Sequence, residues 1–451
     1  MQSTPPTVPA RRPPRPNHRA VDAAAVAVGL GMGACVALAV TAETSSALSA
    51  PGGWATFGGR LAGLTGTYLL LIMLLLIARI PVIERTVGQD RLLRWHRRLG
   101  QWPIYLLTAH ALLITLGYAE QAKTGVWHEF TILVGSYADV LMAIVAYGLL
   151  VTAAVTSIRA ARRRIRYETW WAIHLYVYLA LALAFSHQLA NGASFVGHPL
   201  TRAMWVALWV ATAGTVVIFR VVLPLARSAW HDLRVVGVHE EAPGVMSIVC
   251  SGRNVEGLVV AGGQFFQWRF LARGMWWQAH PYSLSAMPKS PYLRVTVKAA
   301  GDHSRRLTRL PIGTRVAIEG PYGAFTRHAR NTNKVLLVGV GVGITPIRAL
   351  LEDMDPSVDV TVVTRASTAK DVLFGDEIRT LVTNRGGELY ELVGPRRDHP
   401  LDPRHLRRLV PDIAQRDVYV CGPGDFGDAL VDASRRLGVP DDRIHREQFA
   451  F

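Results

Sequence analysis

Cysteine is nearly missing from this 451-residue chain: Cys35, Cys250 and Cys421 are its full complement, far apart in sequence. Three scattered thiols build neither a disulfide framework nor a cysteine-ligated cluster, and their scarcity suits a reducing compartment for any soluble part. Acidic side chains are also sparse, with Asp+Glu at 33 against Lys+Arg at 49 and a formal charge of +16. Such an excess often marks nucleic-acid binding. Here the basic residues crowd the ends of apolar runs, so they read as a topology signal and an anionic-lipid contact, with no nucleic-acid partner. Long apolar runs dominate residues 21–225, whereas residues 230–451 disperse their charge as an ordinary α/β protein does. A membrane half and a soluble half follow. No cleavable secretory leader is expected, since the first apolar run follows a Pro/Arg-rich tail and leads into further spans.

A bilayer crossing takes about 20 helical residues, and six stretches qualify, near residues 21–42, 60–80, 100–118, 131–156, 170–190 and 201–225. Residues 1–20 form a basic Pro/Arg-rich tail that is expected to be disordered. The connections alternate in charge. Arg11, Arg12, Arg15 and Arg19 precede the first span, and the loop after it carries only Glu43. Arg79, Arg85, Arg91, Arg94, Arg97 and Arg98 fill the second loop, while the third is nearly neutral. Arg159, Arg162, Arg163, Arg164 and Arg166 fill the fourth; the fifth has no charge, and Arg220 and Arg227 follow span six. The basic segments share one side, so the positive-inside rule puts both termini in the cytoplasm of a multi-pass protein of the cell membrane. Asp139, in span four, reads either as a proton relay or as an interfacial cap.

Ionisable groups within spans are rare and usually functional. Span three carries His96 and His110, fourteen residues apart, and span five carries His174 and His187, thirteen apart. At 1.5 Å per residue each helix separates its two imidazoles by roughly 20 Å. Two levels with two imidazoles each are what a pair of stacked, bis-histidine haems requires. Fourteen residues keep His96 and His110 on one face, whereas thirteen put His174 and His187 out of register. Span five therefore calls for a bend, local unwinding or a π-bulge. Histidines satisfied by backbone at helix ends are the plainer reading of any one of them; two matched pairs favour haem iron.

The soluble half reads as short strands punctuated by Gly and Pro over residues 230–325, as in a small antiparallel β-barrel. His280-Pro281-Tyr282-Ser283 places an aromatic and a hydroxyl at a strand end, suited to pack on an isoalloxazine and bond its reactive edge. Lys298 and the stretch GDHSRRL follow, where Ser304 is positioned to open a helix that receives a pyrophosphate. Residues 334–347, KVLLVGVGVGITPI, run a buried strand into Gly339, Gly341 and Gly343, and Thr345-Pro346 then begins a helix. Glycines at that place let a phosphate approach the backbone and the helix N-terminus. Further strands at DVTVVTR and DVYVCGPGD give a parallel sheet. Arg365 ends the first of these, placed for a ribose 2′-phosphate or simply for solvent. Cys421-Gly422-Pro423 ends the second, where a nicotinamide ring would lie; a buried small side chain is the plainer reading of Cys421. The aromatic Phe451 at the end of the chain either covers a flavin face or frays.

With these motifs in order, residues 20–451 resemble the NADPH oxidase/ferric reductase family, most closely its single-chain bacterial members without calcium-binding extensions. The four histidines match the family's haem ligands in helix and spacing, the thirteen included. His280-Pro281-Tyr282-Ser283 matches its flavin motif, with Tyr282 where several members have Phe. Glu319-Gly320-Pro321-Tyr322-Gly323 resembles the turn between its soluble domains. Gly339 to Pro346, Cys421-Gly422-Pro423 and Phe451 resemble the nucleotide half shared with ferredoxin–NADP reductases.

The resemblance implies a six-helix transmembrane haem domain over residues 21–228, an FAD-binding barrel over 229–330 and an α/β NAD(P)H-binding domain over 331–451. It assigns His96 and His174 to an inner haem b and His110 and His187 to an outer one. Arg60 falls where family oxidases place an arginine near the outer haem, although a snorkelling interfacial arginine fits equally well. Ile114 stands where some superoxide-forming relatives have a histidine. The expected activity is transfer of electrons from NADPH or NADH through FAD and two haems to an external acceptor, either O2 or ferric iron. Two other readings are an electron supply for a partner protein or quinone, and a haem-bearing sensor or scaffold whose flavin domain is inactive.

Overall fold

The computed structural model describes residues 18–87, 89–165, 167–395 and 397–448. The chain divides between Arg220 and Val221 into two compact units.

The first unit is helical. Its elements are α1 (His18–Thr41), α2 (Ser45–Ser49), α3 (Gly53–Ile77), α4 (Pro81–Val87), α5 (Gln89–Leu99), α6 (Gln101–Ala122), α7 (Val126–Ser136), α8 (Val140–Ser157), α9 (Arg159–Arg162), α10 (Tyr167–Asn191) and α11 (Pro199–Val217). A π-helical turn, Ile218–Val222, leads into α12 (Leu223–His231). Six helical stretches are long and apolar enough to cross a membrane: Asp22–Thr41, Gly53–Ile77, Arg91–Ala122, Val140–Ser157, Glu168–Asn191 and Pro199–His231. In lipid each backbone group must be satisfied within the chain, and a helix does this by itself. The hydroxyls follow suit, as Thr65, Thr108, Thr115 and Thr152 each donate to the carbonyl one turn back.

Span four differs from the expected 131–156. It breaks at Asp139, whose φ of +62° starts α8 and leaves α7 as a separate helix. An aspartate tolerates this left-handed conformation better than most residues, and its carbonyl accepts from Ala143 N at 3.0 Å.

Small residues bring α3 against α6. A methyl added at Gly59 would meet Ile114 at 2.8 Å, and one at Gly66 would meet Leu106 at 3.1 Å. Without a hydrophobic drive between helices in lipid, such close approach supplies the packing. Gln188 ties three helices, accepting from Trp205 Nε1 at 2.9 Å and donating to Thr67 Oγ1 at 3.4 Å.

The second unit holds α12 and two sheets. The first sheet is antiparallel, built from β1 (Leu233–Ala242), β2 (Val245–Ser251), β3 (Phe265–Phe270), β4 (His280–Ser283), β5 (Tyr292–Lys298) and β6 (Arg315–Tyr322) in the order β4-β3-β6-β1-β2-β5. The outer strands meet through an antiparallel bridge between Leu284 and Val295. Alternation in β3 buries Phe266, Trp268 and Phe270 around Val235, Ile248 and Leu293. Helix α13 (Asp302–Leu307) lies between β5 and β6. Glu319 to Tyr322, expected as a turn, instead form the end of β6, where Arg227 of α12 donates to the Gly320 carbonyl at 3.0 Å.

The second sheet is parallel, with β7 (Lys334–Val340), β8 (Asp359–Ala366), β9 (Glu388–Val393), β10 (Asp417–Gly422) and β11 (Ile444–Gln448) in the order β11-β10-β7-β8-β9. It carries α14 (Ile344–Asp353), α15 (Gly375–Thr383), α16 (Pro403–Leu409) and α17 (Gly424–Arg436). The chain runs outward from β7 through β9 and returns to β10 beside β7. The topological switch point, where open α/β sheets bind ligands, therefore lies between β7 and β10.

Candidate electron-transfer site

The four intramembrane histidines form two pairs. His96 of α5 and His174 of α10 have ring centres 6.3 Å apart, and His110 of α6 and His187 of α10 have theirs 6.4 Å apart. Metal–imidazole bonds of about 2.0–2.1 Å, with about 1.1 Å from nitrogen to ring centre, put two rings on opposite sides of one metal about 6.2–6.4 Å apart. Both pairs fit that span. Among the described residues no group of three or more His, Cys, Asp or Glu forms a protein-only metal site. Ligands in twos suit a metal whose other positions are filled by a macrocycle.

Second partners fix three of the rings. His96 Nδ1 lies 3.2 Å from the Met73 carbonyl and His110 Nδ1 lies 2.8 Å from the Gly59 carbonyl, both on α3. A carbonyl at Nδ1 keeps the proton there and leaves Nε2 with its lone pair for a metal. The Asn191 amide lies 3.2 Å from His187 Nδ1. Of the interruptions expected in span five, neither local unwinding nor a π-bulge is found: α10 is α-helical from Tyr167 to Asn191, and between α5 and α6 Gly100 keeps helical dihedrals, its N–H bonded to the His96 carbonyl at 3.0 Å.

Gly63 makes room for His110, since a methyl there would meet its Nδ1 at 2.7 Å. Arg60, one residue past Gly59, forms an ion pair with Glu43, whose side chain is buried. Ile114 packs on Gly59.

In the antiparallel sheet, β4 presents the flavin motif, with Tyr282 paired to Phe266 and Ser283 to Phe265 of β3. Trp268 Nε1 holds the Tyr282 carbonyl at 3.0 Å, and burial pushes the Tyr282 phenol above its ordinary pKa. Ser283 is buried, and its hydroxyl has no partner among the described residues. A buried hydroxyl left unsatisfied is costly, and a flavin edge would satisfy this one. Pro281 and Lys298 are exposed. Ser304 does not open α13: the helix begins at Asp302, and the Ser304 hydroxyl turns back to Gly301, accepting from its N–H at 2.9 Å. His280 packs on His303 with ring centres 3.8 Å apart, and Gln278 Oε1 lies 2.7 Å from His303 Nδ1. Burial, with His280 and Arg306 nearby, lowers the His303 pKa to about 4.

In the parallel sheet the nucleotide motifs converge on the switch point. Cys421 of β10 sits in register with Gly339 of β7, and Arg365 of β8 with Val340. A methyl on Gly343 would meet the Cys421 carbonyl at 2.4 Å, and one on Gly339 would meet Ile344 at 2.5 Å, so both positions require glycine. Gly341 adopts φ +55° with nothing within 4 Å of an added methyl, which leaves the backbone open to a phosphate. Thr345 and Pro346 are buried in the first turn of α14, where the Thr345 hydroxyl donates to the Val342 carbonyl at 2.9 Å. A small cavity is lined by Gly339, Gly341, Arg365, Asp371 and Val393. Burial raises the Cys421 thiol well above its ordinary pKa, so it stays protonated. Gly422 packs against Val340, Pro423 caps α17, and Phe451 lies outside the described residues.

The sequence reading missed Gly59 and Gly63 as the support for His110, although their spacing with Gly66 was a visible cue.

Residues 62–185 match the family described as ferric reductase like transmembrane component, and residues 244–326 match the FAD-binding domain family. Among curated relatives, the glycine betaine monooxygenase reductase subunit of Chromohalobacter salexigens is 28% identical over 185 residues, 37% of this chain and 50% of that protein. The NADH oxidoreductase HCR of Escherichia coli is 32% identical over 179 residues, 37% of this chain and 53% of that protein. The chain thus spans about half the length of the curated relatives it matches. The flavohem-like FAD/NAD binding domain of a nitric oxide dioxygenase from Vibrio cholerae superposes with a TM-score of 0.43 at 26% identity, covering 49% of this chain and 98% of that one. A ferric reductase-like membrane domain followed by an FAD-binding domain matches the NADPH oxidase/ferric reductase family.

Proposed function

We propose that this chain carries electrons from cytoplasmic NAD(P)H, through FAD and two bis-histidine b-type haems, to an acceptor on the far side of the cell membrane, either O2 or ferric iron. Residues 21–228 hold the haems, 229–330 the FAD and 331–451 the nucleotide. The observation that carries this reading is the pair of matched imidazole spacings, 6.3 and 6.4 Å, at two levels of one helical unit. When bound, FAD converts a two-electron hydride donor into single electrons that haem can accept.

The residues supply binding and orientation. His96 and His174 hold the inner haem and His110 and His187 the outer, with the α3 carbonyls of Met73 and Gly59 aiming two of the four rings. The Ser283 hydroxyl bonds the flavin's reactive edge while Tyr282 packs beside it, and His280, Lys298 and Ser304 serve the rest of the FAD. Gly339, Gly341 and Gly343 admit the nucleotide phosphates to the N-terminus of α14, with Arg365 beside the ribose and Cys421 beside the nicotinamide. Arg60, ion-paired to Glu43, stands beside the Gly59 carbonyl that aims His110 and so is the arginine near the outer pair. Each electron crossing the membrane is coupled to the potential at about 2.3 kcal/mol per 100 mV.

The test is NADPH oxidation by purified full-length protein, with and without oxygen and with ferric chelate. Superoxide formed as fast as electrons leave the nucleotide identifies an oxidase, and chelate reduction without oxygen identifies a ferric reductase. Haem that neither NADPH nor NADH can reduce overturns the reading.

A further inference from the structure

One ion-pair network joins the antiparallel sheet to the parallel-sheet domain through a residue outside both cofactor motifs. Arg294, on β5, grips both oxygens of Glu377 in the first turn of α15, with Nη1–Oε1 and Nη2–Oε2 both at 2.7 Å. This is the bidentate fork that a lysine cannot reproduce. The same Nη2 donates to the carbonyl of Ser285 at 3.1 Å, two residues past Ser283. On its other side Glu377 Oε2 lies 2.7 Å from Nε of the buried Arg348. Arg348 sits on α14, the helix that begins where Gly339 to Gly343 end. Glu352, ion-paired to Arg348, accepts from Met287 N at 2.8 Å and contacts Lys289 at 3.2 Å. The segment after the flavin motif and the helix after the glycine motif are therefore tied to one carboxylate. Arg294's hydrogen bonds hold that carboxyl below its usual range against the effect of burial, so it is anionic at neutral pH.

We propose that Glu377, clasped between Arg294 and Arg348, is a positioning residue that sets the gap between the flavin and nucleotide motifs, and so the distance a hydride crosses from nicotinamide C4 to flavin N5. This rests on the reading above that those motifs hold FAD and NAD(P)H. Removing one side of the clasp leaves both cofactor sites intact but lets their separation wander. A misplacement on the scale of an ångström costs about 100-fold in rate.

The test is anaerobic stopped-flow reduction of the flavin by NADPH and by its C4-deuterated form in the full-length protein. The variants are Glu377→Gln and Arg294→Lys, with Asp376→Asn as control, a 98% exposed side chain paired to Arg379. Flavin content and nucleotide Kd should stay within about twofold of wild type, while the limiting rate falls about 10- to 100-fold with the deuterium effect retained, and Asp376→Asn should match wild type. An unchanged rate overturns the proposal. So does a rate loss that merely follows lost FAD or lowered thermal stability, which marks a structural staple. A raised Kd with an unchanged limiting rate also overturns it, making Glu377 a nucleotide contact. Wild-type flavin that nucleotide does not reduce would instead sink the functional reading itself.

Discussion

Gly63→Ala tests whether the outer imidazole pair is built to hold a metal. The added methyl would lie 2.7 Å from His110 Nδ1, 3.1 Å from Cε1 and 3.2 Å from Cγ. Ordinary contact at about 3.4 Å or more requires the ring to retreat by about 0.7 Å. That movement breaks the 2.8 Å contact with the Gly59 carbonyl and disturbs the 6.4 Å spacing to His187. Disrupting such supporting contacts costs about 10- to 100-fold in metal affinity, or about 1.4–2.7 kcal/mol. Were the space idle, alanine in a helix interior would instead stabilise the protein by about 0.5–1 kcal/mol. Haem content by pyridine haemochrome, with redox titration of the full-length protein, reads the difference. One haem per chain should be weakened or lost while the His96/His174 level titrates as in wild type. Gly29→Ala, whose methyl meets nothing within 4 Å, should leave both in place. Full haem content in Gly63→Ala together with a higher thermal midpoint would refute the reasoning.

Ser283→Ala removes a buried hydroxyl that lacks a partner. The FAD-free protein should unfold about 1–2 kcal/mol later while its FAD affinity falls, read by thermal unfolding and flavin titration; a destabilised apoprotein with unchanged FAD affinity would contradict this. Gly341→Val places a β-branched residue at φ +55° and should abolish reduction by nucleotide while dithionite still reduces flavin and haem; normal turnover would count against the phosphate site. Asp417 is fully buried and accepts from Asn331 N, Thr332 and His445, and these bonds outweigh burial and hold its carboxyl below the usual range. A depressed folded pKa contributes stability that is present above the unfolded value of about 3.9 and lost as pH falls below it. Asp417→Asn should therefore cost about 3 kcal/mol or more near pH 7, and the gap in flavin-release temperature should close in acid; a gap independent of pH would contradict the assignment.

Much of the membrane half was legible because lipid imposes its rule on composition: an apolar run of sufficient length must be a helix, and each of the six expected spans overlaps a crossing-length helix. The exception, the break at Asp139, turns on one backbone dihedral that an apolar run does not announce. The histidine pairing was readable from spacing, whereas the unwinding or π-bulge expected from the offset between His174 and His187 is absent from α10. In the soluble half, motifs with a local cause were legible. A glycine run between strand and helix packs as it does because Gly339 and Gly343 have no room for a side chain. Ser304 was placed wrongly, since whether a hydroxyl opens a helix or folds back on Gly301 depends on where the turn begins. The Arg294–Glu377–Arg348 clasp spans more than eighty residues of sequence between its first two members, and no local pattern foretells it.

Haem stoichiometry and ligation in the purified full-length protein bear most directly on the central claim. Wild type should hold two low-spin b-type haems per chain, and His110→Ala and His187→Ala should each lose the same one of the two. Preparations with no Soret absorbance after porphyrin supplementation, or alanine variants that keep both haems, would contradict it.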